Sequence, residues 1–188
     1  MKKTILQLAI AAALASTAGP ASTQPKPTPA KFSDGVVKIG LILDMSSLYA
    51  DITGEGSALA ARMAVEDFGG KVLGVPIEVV TADHQNKADI AAAKAREWFD
   101  TQKVDMLADV AASATALAAL EVAKQKNRIA MFNGPGTTRL TNENCTPISV
   151  HYAYDTYALA AGTGRGVLKT GGDSWFFLTA DYAFGHSL

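Results

Sequence analysis

Apolar residues in this chain follow two rhythms. Near-continuous runs of strand length, VVKIGLIL (36–43), VPIEVVTAD (75–83), VDMLADV (104–110), RIAMFN (128–133) and SWFFLTAD (174–181), alternate with segments whose apolar positions recur at helical spacing. The spacing predicts a helix over EGSALAARMAVEDFGG (55–70), with Leu59, Met63, Ala64 and Phe68 as its contacts and Gly69-Gly70 as its stop. A second is expected over DIAAAKAREWFDTQ (89–102), with Asp89 as N-cap and Ala91, Ala95, Trp98 and Phe99 on one face. A third opens near Ser113, and a fourth runs from Asp155 to Thr170. Strands that are apolar throughout and alternate with helices imply an α/β fold with a doubly wound parallel sheet, covered on both faces and linked by right-handed crossovers.

The first 34 residues follow neither rhythm. Met1-Lys2-Lys3 precedes an apolar run to Ala15 that is too short to span a bilayer, and ALA (13–15) or STA (16–18) offers the small residues of a cleavage site. Residues 1–18 are therefore expected to be a signal peptide that delivers the chain to the periplasm. GPASTQPKPTPAKFSD (19–34) carries four prolines and reads as an extended linker. Export makes the single cysteine, Cys145, either a buried free thiol or half of a disulfide whose partner is not in this sequence.

In a parallel sheet, ligands bind where the carboxyl ends of strands turn into the next helices. The loops at that end are DMSSLYADITG, DHQNKAD, AASAT, NGPGTTRLT and DYAFG. AASAT and NGPGTT share a composition of small and hydroxyl residues directly before a helix or turn, which leaves backbone N–H groups within reach of a ligand. A small anion is expected to accept from the amides of Thr115 or Thr137 and from the hydroxyls of Ser113 or Thr137. The competing reading makes Ser113 a plain N-cap and Ala111 and Ala112 tight packing.

Composition closes off other chemistry. A net charge of −1 offers no footprint for nucleic acid. GPGTT (134–138) lacks the Lys-Ser/Thr of a P-loop, GTGRG (162–166) has the wrong spacing for a dinucleotide fingerprint, and no G-x-S-x-G occurs. His84, His151 and His186 stand singly, so neither a metal site nor a catalytic residue is assigned, and no cofactor is expected. Asp83 and His84 could form a hydrogen-bonded pair, but no nucleophile is tied to them. The residues thus give no support for an enzyme.

The ordered set VKIGLILDMSSLYADITGEGSALAARMAVEDFGG, ADHQNKADIAAAKAREWFD, SATALA, NENCTPISVHYAYDTYALAAGTG and WFFLTADYAFGH resembles the periplasmic solute-binding proteins of ABC importers, type I, the leucine/isoleucine/valine-binding branch. The resemblance implies two α/β lobes that close on a ligand about a hinge, delivery to ABC permease subunits in the inner membrane, and a monomer. It implies that residues 35–150 build lobe one, that 151–188 hold the hinge crossing and the start of lobe two, and that the chain is an N-terminal fragment of such a protein. By resemblance Ser113 and the Pro135, Gly136 and Thr137 loop hold a ligand carboxylate, Tyr182 and Phe184 cover the ligand, and the loop with Ser47 and Tyr49 lines the pocket mouth.

Departures from the family pattern are Phe184 where relatives carry tyrosine, Ser47 where many carry glycine, and Ala112 where some are polar. Tyr49, Tyr154, Tyr182 and Phe184 point to an aromatic or apolar ligand body. The implied cargo is a small carboxylate: a branched-chain or other amino acid, an amide or an aromatic acid. Two alternatives stay open, a ligand-sensing domain of the same fold that feeds a regulatory partner, and a secreted α/β enzyme.

Overall fold

Six strands form one sheet in the order β2-β3-β1-β4-β5-β6. They are β1 (Val37–Leu43), β2 (Lys71–Val72), β3 (Val75–Asp83), β4 (Met106–Ala108), β5 (Ile129–Phe132) and β6 (Ser149–His151). The computed structural model describes residues 34–188, so the expected signal peptide and all of the linker but Asp34 lie outside the described residues. Every pairing is parallel except the short β2–β3 hairpin. The edge strands β2 and β6 were not expected, because two or three residues are too few to show a period.

The helices are α1 (Gly54–Asp67), α2 (Ala88–Glu97), α3 (Ser113–Lys126), α4 (Thr156–Lys169) and α5 (Ala183–Ser187), and α2 runs on into a π-helical turn at Trp98–Gln102. β1 alternates between two cores. Ile42 joins Trp98, Leu107, Ala119, Leu120 and Phe132 in the larger cluster under α2 and α3, whereas Leu41 and Leu43 meet Ala58 and Ala61 of α1. Gly40 lets the larger core close: a Cβ there would lie 2.5 Å from the Trp98 ring.

Several expectations need correction. The buried contact of α1 is Ala58, with Ala61 and Val65 half-buried beside it; Leu59, Met63 and Phe68 are exposed and Ala64 is exposed with them. Ala64 and Phe68 still face the sheet, lining a pocket with Leu41 and Val79, but nothing among the described residues fills it. The second face of the sheet is therefore only partly covered among the described residues. The N-cap of α2 is Lys87, whose amide closes a turn on the His84 carbonyl; Asp89 sits in the first helical turn, where its charge still faces the helix dipole.

The β4 ladder is only three residues long, because Asp109 has φ 49° and leaves the extended conformation. SWFFLTAD pairs with no strand among the described residues, and Phe176, Phe177 and Leu178 lie exposed. An apolar run becomes a strand only when a neighbour supplies hydrogen bonds. By contrast, α4 begins where expected: Asp155 Oδ1 accepts from the Ala158 amide at 2.7 Å.

Candidate functional site

The tops of β1, β4 and β5 converge on a cavity of about 280 Å³. One wall is backbone and small side chains: Ala111, Ala112 and Ser113 at the start of α3, and Gly134, Pro135 and Gly136 after β5. Tyr49, Tyr154, Tyr182 and Phe184 supply the aromatic part of the lining, with Ile52, Thr53 and Ala180 completing it. The lining contains no Asp, Glu, Lys, Arg or His. The cavity is just under the roughly 300–1,000 Å³ range of ligand sites, with room for one small molecule.

The backbone wall depends on how α3 starts. Its N-cap is Ala112, which has no side-chain oxygen to offer, so Ser113 is the first helical residue and not the cap. Thr115 Oγ1 donates to the Ala112 carbonyl at 2.7 Å and accepts the Ala112 amide at 3.2 Å, which locks the turn from inside. The amides of Ser113, Ala114 and Thr115 belong to the first helical turn, which lacks intrahelical acceptors and carries the positive end of the dipole. Ser113 Oγ accepts the Thr137 amide at 3.2 Å and so ties the two loops together.

Of the residues singled out from sequence, Tyr49, Ser113, Pro135, Gly136, Tyr182 and Phe184 line the cavity together. Ser47, Thr115 and Thr137 do not. The Thr137 amide, expected to be free for a ligand, is taken by Ser113, and the Thr137 hydroxyl accepts from the Arg139 amide at 3.4 Å to cap the 3-10 turn Thr138–Leu140. Thr115 is fully buried under the helix start. The Ser47 hydroxyl donates to Asp44 Oδ2 at 2.6 Å.

Asp44 was missed by sequence reasoning, although an Asp at a strand end followed by MSS carries the composition of a side-chain-capped turn. It is fully buried, and its carboxylate also accepts the amides of Ser47 at 2.8 Å and Tyr49 at 2.9 Å. Burial opposes its charge, but the Ser47 hydroxyl and these two amides, with His84 nearby, prevail and hold the carboxyl below its usual range. Asp44 thereby sets the loop that presents Tyr49.

Asp83 serves the same loop from β3, accepting from the Met45 amide at 3.0 Å and the Ser46 hydroxyl at 2.5 Å. It makes no hydrogen bond with His84, contrary to the suggested pair. His84 is fully buried; its Nδ1 accepts the Asn86 amide at 2.9 Å, while its Nε2 has no partner. Cys145 is exposed, which removes the buried-thiol reading.

Across the cavity, Tyr49 Oη donates to Tyr182 Oη at 3.0 Å, and the Tyr182 and Phe184 rings stack with centroids 6.0 Å apart. Burial, followed by the hydrogen bond from Tyr49, pushes the Tyr182 phenol up, so it stays neutral. Gly136 lies under the Phe184 and Tyr154 rings, each 2.9 Å from where a Cβ would stand. Tyr154 Oη donates to the Gly134 carbonyl at 3.0 Å and His151 Nε2 lies 2.7 Å from the Pro135 carbonyl, so the loop is held from both sides.

A family model for periplasmic binding proteins matches residues 36–188. The chain belongs to the periplasmic binding protein family. Among solved structures, a periplasmic binding protein from Burkholderia mallei is 62% identical over 81% of this chain and 41% of its own, with TM-score 0.79. A branched-chain amino acid ABC transporter periplasmic ligand-binding protein from Burkholderia xenovorans is 37% identical over 80% and 40%, with TM-score 0.71. An ABC transporter solute-binding protein from Rhodopseudomonas palustris, in complex with 3,4-dihydroxybenzoic acid, is 28% identical over 82% and 42%, with TM-score 0.75.

The chain thus spans about two fifths of the length of these relatives. No curated protein matches it. The type I fold expected from the resemblance is the one observed, a mostly parallel α/β sheet shared with these structures. Members of this family are binding components of transporters.

Proposed function

We propose that this chain provides the first lobe, and the start of the second, of a periplasmic receptor that captures a small carboxylate and hands it to an ABC permease. The observation that carries this reading is the cavity itself, lined by the start of α3 with the Ser113 hydroxyl, by the Gly134–Gly136 backbone and by four aromatic rings. Such a wall stabilises a carboxylate through backbone dipoles, while the rings accept an apolar or aromatic body. Residues 35–150 form lobe one in this reading and 151–188 the crossing into lobe two, with 1–18 as the export signal. The receptor has no chemistry of its own; closure follows because ligand contacts made from both lobes favour the closed state.

An aromatic acid is the ligand class favoured within that reading. Tyr49, Tyr154, Tyr182 and Phe184 present ring faces and edges to the cavity, which suits a planar apolar body. The dihydroxybenzoic acid held by the R. palustris relative is consistent with this choice. A thermal-shift screen of the full-length protein against leucine, acetamide, benzoate and 3,4-dihydroxybenzoate tests it: the two benzoates are expected to raise Tm most. A shift with leucine alone would replace the aromatic reading, and no shift with any carboxylate would remove the receptor reading in this form.

A further inference from the structure

α5 turns Phe184 and Ser187, three residues apart on one helix face, toward the same stretch of backbone. Phe184 packs over Gly136. One turn on, Ser187 Oγ lies 2.7 Å from Thr156 Oγ1 and 3.1 Å from Thr138 Oγ1, and it accepts the Thr138 amide at 3.3 Å. Thr156, the first residue of α4, is fully buried; its Oγ1 also accepts the Thr138 amide at 3.3 Å, and its own amide donates to the Gly136 carbonyl at 2.7 Å. Three hydroxyls from three elements therefore close around residues 136–138. None of the three lines the cavity.

Phe184 and Ser187 are the residues of α5 that meet the loop after β5, one through its ring and the other through its hydroxyl. We propose that the Ser187, Thr156 and Thr138 hydroxyls form a latch that holds α5 against the loop after β5 and so positions Phe184 over the ligand. The role assigned to Phe184 rests on the carboxylate-receptor reading above; the latch geometry does not. Because the latch joins the loop of lobe one to the first helix of lobe two, it acts on the closed state. Its loss speeds ligand escape and leaves the encounter rate alone.

The test uses the full-length protein with Ser187→Ala, Thr138→Val and the hydroxyl-retaining Ser187→Thr. It reads stopped-flow kinetics with 3,4-dihydroxybenzoate and amide hydrogen exchange over residues 136–138 without ligand. Removing one hydroxyl is expected to speed dissociation about five- to tenfold with association unchanged within about twofold, and to accelerate exchange of the segment, while Ser187→Thr stays near wild type.

Unchanged dissociation and exchange in both Ser187→Ala and Thr138→Val would overturn the latch, as would a lowered Tm without either change. If the unsubstituted protein binds none of leucine, benzoate and 3,4-dihydroxybenzoate, the carboxylate reading falls. The latch is then judged by exchange alone, faster exchange in the two variants supporting it and unchanged exchange rejecting it.

Discussion

Ser113 Oγ accepts the amide hydrogen of Thr137 at 3.2 Å, joining the start of α3 to the loop after β5. The bond means that the hydroxyl at the cavity wall is held in place by the neighbouring loop, while its own hydrogen stays available to an acceptor in the cavity. Ser113→Ala in the full-length protein is expected to weaken 3,4-dihydroxybenzoate binding about tenfold, the loss of one hydrogen bond to a charged group. Thr137→Val is expected to weaken it less and to lower Tm instead, since the Thr137 hydroxyl caps the turn at Thr138–Leu140. Calorimetry on both variants checks the order, and equal affinities for wild type and Ser113→Ala would remove Ser113 from the site.

Tyr49 and Tyr182 share a single hydrogen bond across the cavity. Tyr49→Phe and Tyr182→Phe keep both rings, so each should weaken binding by a similar, severalfold factor. The double variant should be no worse than either single one, because residues in direct contact are not additive. Additive losses in a double-mutant cycle would show that each hydroxyl meets the ligand separately.

His84 makes stability pH-dependent. Burial holds its imidazole below the ordinary value of 6.5 despite the charges of Asp44 and Asp83. As pH falls through that ordinary value, the unfolded chain takes up a proton that the folded chain still refuses, so acid favours unfolding. Asp44 adds a second loss at lower pH: its depressed folded value means that its contribution is present above its ordinary 3.8 and disappears as pH falls below it. Tm is expected to decline between about pH 7 and pH 5, and His84→Gln should flatten that step while leaving the more acidic one. A slope retained in His84→Gln would assign it to another group.

Gly40→Val adds side-chain atoms where a Cβ alone would sit 2.5 Å from the Trp98 ring. The expected cost is at least about 1–3 kcal/mol, the usual range for overpacking a filled core. Urea denaturation of the full-length protein measures it. Trp98→Leu in the Gly40→Val background should recover part of the loss, and no recovery would show that the clash lies elsewhere.

The local pattern of this sequence determined the parallel α/β alternation, because strands buried on both faces must be apolar throughout and each crossover helix must carry its own stripe. It also singled out AASAT and NGPGTT by their small and hydroxyl residues, and Ala111, Ala112, Ser113, Gly134, Pro135 and Gly136 line one cavity. Tertiary structure decided the rest. Whether a hydroxyl faces a ligand or a neighbouring amide depends on packing between loops distant in sequence, which is why Thr137 and Thr115 turned out to be committed within the protein. Whether an apolar run becomes a strand depends on a partner: β6 formed from three unremarkable residues beside β5, while SWFFLTAD meets no partner strand among the described residues. The roles of Asp44 beneath the Tyr49 loop and of Ser187 behind Phe184 arise from contacts between elements, which no single window of sequence contains.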